Sequence, residues 1–379
     1  MKIEQKVWTK KEKWSFREGP DVGEKAQLVI IFAATEILKE TTFFHDLKKM
    51  YPKAHLFGCS TSGEIRGTKV SDDTLVATAI HFEHTEIISA RITLDKVSSS
   101  LEAGEMLAQS IKKDGLVHVF VLSDGLNVNG SELVKGLAKN LPKEVTITGG
   151  LAGNGDHFEE TYVLCDDVPS KDTVAILGLY GNNLKVGYGS MGGWDPFGPE
   201  RLITKSKENV LYELDGKSGL EIYKKYLGEH AGGLPATGLL FPLSIRTKEG
   251  ESGIVRTILS VNETEQSMTF AGEIPEKAYA RFMKANFERL IDGAHEAAKI
   301  SFNAINKTPP DLAILISCVG RKLVLKQRIE EEVEAIRDVL GGSAVMTGFY
   351  SYGEISPFAP EEPCALHNQT VTITTFTEL

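Results

Sequence analysis

The chain has 379 residues, of which 41% are hydrophobic and 25% charged, with a formal net charge of -10; these figures are ordinary for a soluble globular protein of two or three domains. The charge is spread without a basic block or acidic tail, which argues against nucleic acid or an anionic membrane as a partner. Four cysteines, Cys59, Cys165, Cys318 and Cys364, form no CxxC pair, and Met1 to Lys13 is charged rather than apolar, so reduced thiols and a cytoplasmic location are expected.

Residues 1–27 show no clean period and read as an N-terminal arm without an assigned function. Leu28 to Ala34 is apolar without alternation, as in a strand covered on both faces, and is too short to span a bilayer. Phe43, Phe44, Leu47, Met50 and Tyr51 follow at helical spacing and Pro52 stops that helix. A second short apolar run, Ala54 to Phe57, leads to Gly58. Thr74 to Phe82 and Glu86 to Leu94 read as two antiparallel strands.

A second strand–helix–strand passage starts with a helix bearing Leu101, Leu107, Ala108 and Ile111, followed by the strand Leu116 to Leu122. Asn129, with Glu132 three residues on, resembles a capping box ahead of the helical face Leu133, Val134, Leu137 and Leu141. The passage reaches Gly149-Gly150, with a return strand at Thr173 to Tyr180. The stretch Gly187 to Gly198 is dense in glycine and aromatics and reads as a loop whose backbone approaches something closely. A domain boundary is placed near Ser218, giving domains at 28–218 and 219–379.

The second half opens with three strand candidates, Phe241 to Thr247, Gly253 to Val261 and Ser267 to Ile274, expected as an antiparallel meander. A long helix then carries Phe287, Leu290, Ile291, Ala294, Ala297, Ala298, Ser301 and Ile305 on one face. Leu312 to Ser317 is a buried strand, Ile329, Val333, Ile336 and Leu340 make an amphipathic helix, and Ala344 leads to Gly348. Thr370 to Phe376 alternates like a half-exposed strand. The expected architecture is α+β, with mixed sheets flanked by helices in a pseudo-duplicated, two-domain arrangement.

Two matching stretches organise this scaffold. Gly58-Cys59-Ser60-Thr61-Ser62-Gly63-Glu64-Ile65 and Gly348-Phe349-Tyr350-Ser351-Tyr352-Gly353-Glu354-Ile355 share the pattern Gly-x-x-Ser/Thr-x-Gly-Glu-Ile. Gly149-Gly150-Leu151-Ala152-Gly153-Asn154-Gly155 marks a third strand-to-glycine junction. A glycine just past a strand leaves amide N–H groups facing the space beyond the sheet edge, a nest for a carboxylate. Glu64 and Glu354 then offer the opposite pole to an ammonium, and Ser60, Thr61, Ser62, Ser351 and Tyr352 offer neutral hydrogen bonds. Such a constellation suits a zwitterion such as an amino acid. The alternative is that the glycines only permit a turn and each glutamate caps a nearby backbone amide.

Cys59 stands where loop amides would lower a thiol pKa, but no local signature pairs it with a base, and the stretch does not fit a nucleophile elbow. Metal spacing is missing around Cys364 and His367 and around His81 and His84, and Gly150 to Asn154 lacks the Lys-Ser/Thr of a phosphate loop, so no metal or cofactor is expected. His367 and Asn368, just before the last strand, serve either turn chemistry or a pocket. Trp194 is read either as an aromatic wall or as core.

Together the two Gly-Glu-Ile stretches, the Gly149 to Gly153 loop, Gly193-Trp194 with Tyr212 to Gly216, and Leu366 to Thr370 resemble the FIST family, over about Leu28 to Phe376. The resemblance implies a FIST N-type domain followed by a C-type domain and a sensory module for small ligands such as amino acids. With neither an F-box nor an output domain visible, it implies a stand-alone prokaryotic form that signals through a partner protein. The family offers no catalytic residues to carry over. The expectation is therefore a non-catalytic ligand sensor, set against two alternatives: a hydrolase or transferase using Cys59 or Ser60, and a protein-interaction scaffold.

Overall fold

Apolar runs too short for helices, each followed by an amphipathic helix, dictate the central architecture. Leu28–Ala34 is buried almost throughout and pairs in parallel with His55–Thr61. The connecting helix Thr42–Met50 buries Phe43, Phe44 and Leu47, and the return strand Leu75–His81 runs antiparallel on the other side. The same arrangement recurs with Leu116–Ser123, helix Gly130–Asn140, Thr146–Leu151 and the return strand Thr173–Tyr180. It recurs again with Leu312–Cys318, helix Ile329–Leu340, Val345–Ser351 and the return strand Val371–Glu378. This computed structural model describes residues 1–248, 253–358 and 362–379. It is α+β, with mixed sheets flanked by helices in two domains, the first carrying two of these units and the second one.

The units interlock by exchanging strands. The strand after the first unit's glycine loop, Glu64–Arg66, pairs with the third unit's Val345–Ser351. Its counterpart Gly353–Pro357 pairs with the second unit's Thr146–Leu151, and Val163–Cys165 pairs with the first unit's His55–Thr61. Three backbone bonds close the same circuit: Ser62 N–H donates to Tyr350 O (2.8 Å), Tyr352 N–H to Leu151 O (3.2 Å) and Gly153 N–H to Ser60 O (2.9 Å). The three loops thus meet at one end of a common core in which Phe32, Phe120, Leu122, Ile316 and Phe349 pack together. Each such side chain contributes on the order of 1.5–3 kcal/mol by leaving water.

Several expectations change in the structure. Gly58, Gly149 and Gly348 lie inside their strands, not past them. A Cβ at any of the three would overlap the carbonyl of the paired strand, at Ile31, Val121 and Leu315 respectively, so close backbone approach explains the shared glycine. The glycine-rich stretch from Gly187 is not a loop: Leu184–Met191 pairs with Val371–Glu378, and Trp194–Lys207 begins a further strand. Gly187 and Gly189 admit the backbone of helix Phe287–Ala304, at Ser301 and Ala297, against the sheet.

Residues 1–27 contribute Lys2–Thr9, which extends the first sheet beside Leu75–His81 and buries Trp8. The expected meander is larger than its three predicted strands. Ile254–Arg256 pairs with Leu243–Arg246, and Ile258–Asn262 pairs instead with Ser267–Phe270, the chain breaking between them. Tyr279–Ala285 and Trp194–Lys207 join this antiparallel sheet, which is inserted between Leu184–Met191 and helix Phe287–Ala304.

Candidate functional site

The two Gly-Glu-Ile stretches build the same clamp. At the first, Thr61 Oγ1 donates to Glu64 Oε1, while Thr74 donates to Oε2 from both its backbone N–H (3.1 Å) and its hydroxyl (2.6 Å). At the second, Ser351 Oγ donates to Glu354 Oε1 (2.6 Å), and Thr370 donates to Oε2 from N–H (3.1 Å) and Oγ1 (3.0 Å). Each glutamate therefore ties the end of one strand to the first turn of the return strand. This is the backbone-capping geometry, with both carboxyl oxygens engaged. Burial outweighs these donors and pushes Glu64 up to about 7 and Glu354 up to about 8.

The surroundings of the two clamps differ. Glu64 lines a cleft of about 610 Å³ at the carboxyl ends of strands from all three units. The first unit supplies Ala34, Thr35, Glu36 and Lys39, the loop Thr61 to Glu64, and the turn Asp72-Asp73. Asn154 to His157 with Glu159 and Glu160 come from the second unit, and Val319, Lys322 and Leu323 from the third. Crevices outside the carboxyl ends of strands are the usual ligand sites of open sheets. Lys39 is held by Glu36 and Glu160, and Lys322 by Asp72 and the Ser62 carbonyl. The loop amides do not form an open nest: Ser62, Gly63, Gly153 and Gly155 all donate within the protein.

Of the residues singled out in the sequence, Thr61, Ser62, Gly63, Glu64 and Asn154 line this cleft. Tyr352 stands behind it; its hydroxyl accepts from Phe158 N–H (3.2 Å) and donates to Gly155 O (3.3 Å), and its ring stacks on Phe158 at 4.5 Å. Cys59 is buried, with burial pushing its thiol well above the ordinary value, and Ser60 Oγ accepts from Tyr162 N–H. Neither is a cleft residue. Gly150 and Gly353 are strand positions, Gly150 opposite Glu354 and Gly353 opposite Leu151.

Ser351, Glu354, His367 and Asn368 gather around the second clamp, beside a turn covered by the inserted sheet. Trp194 donates its indole N–H to Gln369 O (2.9 Å), and Gln369 Nε2 donates to Leu239 O (3.2 Å). Trp194 packs with Met283, Leu290, Val324 and Leu325, as core rather than cleft wall. His367 Nε2 donates to Ser356 O (2.9 Å), and burial pulls its pKa down to about 4. Asn368 is buried with no partner for its side-chain amide among the described residues. Among those residues no group of three or more His, Cys, Asp or Glu is placed to hold a metal ion.

The cleft residues that sequence reading missed are mostly charged: Asp72, Asp73 and Asp156 in turns and loops, and Glu36, Lys39 and Lys322 in or at the end of short helices. One signal was available. Asp72-Asp73-Thr74 occupies the place in the first unit that Asn368-Gln369-Thr370 occupies in the third, and Asp73 and Gln369 share a positive φ of 57° and 63°. The counterpart of Asn368 is thus Asp72, a cleft residue.

Residues 27–217 match the FIST N domain and residues 219–357 the FIST C domain. This chain belongs to the FIST family. FIST domains are regarded as small-ligand sensory domains of signal transduction. An uncharacterized protein of Methanocaldococcus jannaschii is 25% identical to this FIST protein, over 94% of this chain and 72% of its own. Among solved structures, a cyanuric acid hydrolase from A. caulinodans aligns with a TM-score of 0.22 at 10% identity, covering 78% of this chain and 68% of that one, a likeness too slight to carry any argument.

Proposed function

We propose that this FIST protein is a non-catalytic sensor of the cytoplasm that binds a small molecule, an amino acid or a related metabolite, in the cleft beside Glu64, and passes the event to a partner protein. The observation that carries the proposal is the cleft itself. Its volume, about 610 Å³, lies within the range of small-molecule sites, and all three units contribute to its wall. A ligand there touches loops that the exchanged strands and the circuit of backbone bonds hold together, so binding in one place bears on all three sheets. No helix of the described residues is long and apolar enough to cross a membrane.

The thiol and hydroxyl considered as nucleophiles sit in packed interior, which favours the non-catalytic reading over hydrolase or transferase chemistry. A thermal-shift screen of amino acids and related metabolites tests the proposal, because a ligand that binds only the folded state raises the melting temperature by mass action. A saturable increase that is weakened in Ser62→Ala or Asn154→Ala is expected. A well-folded, monodisperse protein unmoved by every compound would overturn it.

A further inference from the structure

Helix Val319–Leu325 faces two ways. Val319, Lys322 and Leu323 line the cleft, where Lys322 Nζ donates to the Ser62 carbonyl (2.8 Å) and pairs with Asp72. On its other side Val324 and Leu325 pack with Trp194, Met283 and Leu290, where the inserted sheet seats on the third unit. Gly320 lies so close to the Gln369 side chain that a Cβ there would overlap it. Arg321 joins the two sides. It is buried and paired with Glu332 (2.7 Å), and its guanidinium donates to the carbonyls of Gly192 (2.9 Å) and Leu290 (2.7 Å). Gly192 stands just before the inserted sheet and Leu290 near the start of the helix that follows it, so one side chain grips the chain on both flanks of the insertion.

The seam beneath the inserted sheet is imperfectly closed. Gln369 is held by Leu239 O and by the Trp194 indole, yet its Oε1 has no partner among the described residues. Asn368 beside it leaves both Oδ1 and Nδ2 unpaired among those residues, although it is buried. Buried polar atoms without partners disfavour this closed arrangement against one that admits water. The apolar seat and the grip of Arg321 act against that tendency, and helix Val319–Leu325 contributes to both.

Taking the cleft as the ligand site, we propose that this helix is a lever: a ligand that draws Lys322 away from Ser62 and Asp72 shifts the helix, and the shift loosens the inserted sheet from the third unit. A helix this short moves as one body, because its backbone bonds tie each turn to the next. Lys322 and Arg321 are adjacent, so a displacement at the cleft reaches the Arg321 grip through no intermediate element. The two states are sheet seated and sheet loosened, and a ligand shifts their balance only by as much as it prefers the second. The loosened sheet is then the change that a partner protein senses.

Hydrogen exchange of the full chain, followed by mass spectrometry, tests the lever without a ligand. Lys322→Met removes its cleft end, and exchange is expected to become about fivefold or more faster in Tyr279–Ala285 and around Leu239, with Leu28–Ala34 and Leu116–Ser123 unchanged. Trp194 emission, read in a Trp8→Phe, Trp14→Phe background, shifts to the red as water reaches the indole. Lys39→Met, which removes the other lysine of the cleft, leaves both signals at the wild-type level, and so does Lys322→Arg. Coupling is reciprocal, so Gly320→Ala, which wedges the helix from Gln369, should speed exchange of the Asp72-Asp73 turn; this variant serves if Lys322→Met folds poorly. Unaltered exchange of the inserted sheet in Lys322→Met, the same change in Lys39→Met, or a rise spread evenly over all three units would overturn the lever. The ligand reading falls separately, if no compound of the thermal-shift screen raises the melting temperature.

Discussion

Glu64 and Glu354 are held by the same set of donors, a Ser or Thr three residues before and a Thr at the head of the return strand, yet they occupy opposite environments. One borders a cleft; the other lies beside a turn covered by the inserted sheet. The contrast teaches that the Gly-Glu-Ile pattern is first a structural clamp. Whether a clamp also borders a binding space is decided by what the rest of the chain places over it. The second unit shows that the clamp can be dispensed with. Ala152 and Gly155 stand where the other loops carry Thr61 or Ser351 and Glu64 or Glu354, while the backbone circuit is kept.

The sharpest way to break this comparison is to remove each carboxyl in turn. Glu354→Ala leaves both donors of Thr370 unpaired in a buried place and the Ser351 hydroxyl with only its longer bond to Ser317 O (3.3 Å), and is expected to cost on the order of 3–5 kcal/mol, read by urea unfolding. Glu64→Ala should cost less, about 1–2 kcal/mol, because water in the cleft can satisfy Thr61 and Thr74. Equal losses would mean that the two environments are not energetically distinct.

A smaller effect is expected from pH. Both glutamates keep their protons in the folded state to about pH 7 and 8, whereas the unfolded chain releases them near 4.5, so stability falls as pH rises through that window. Burial pulls His118 down to about 3 and His367 to about 4, so for them stability is lost as pH falls below about 6.5. Between about 4.5 and 6.5 the two pairs offset each other, leaving a plateau. Above it, stability should decline by up to about 1.4 kcal/mol per pH unit for each carboxyl still protonated. Glu354→Gln should flatten the decline between pH 7 and 8 more than Glu64→Gln; a chemical-denaturation series across pH measures it.

The smallest expected effect sharpens the picture of the cleft rim. Tyr352→Phe removes the hydroxyl that anchors Phe158 N–H and Gly155 O while keeping the ring stacked on Phe158, for a loss of about 1 kcal/mol. Because the anchored loop carries Asn154 and Asp156, ligand affinity should fall in the same variant. Unchanged affinity would show that the rim is positioned by other contacts.

Much of the scaffold could be read directly. Leu28 to Ala34, Leu116 to Leu122 and Leu312 to Ser317 are apolar on both faces because each is the central strand of its sheet, and periodicity reports that burial without knowledge of the neighbours. Tyr279–Ala285 carried a usable signal as well, buried Ala280 and Phe282 alternating with exposed Tyr279 and Arg281, but its charges concealed it. Gly187 and Gly189 misled, because glycine that admits a helix backbone to a sheet has the same composition as glycine in a loop. Of the site, the loop Thr61 to Glu64 was legible from its repetition. Asp73 and Asp156 were not, since solvated turn residues carry no period and acquire meaning only from what faces them.

Local order of hydrophobic and polar residues determined the strands, the amphipathic helices and the two glutamate-bearing loops, since each depends on neighbours only a few positions away. Which unit lends a strand to which sheet, and which glutamate borders open space, depended on contacts between residues hundreds of positions apart. Such contacts are selected by the joint burial of three apolar faces and one inserted sheet, a condition that no single segment expresses.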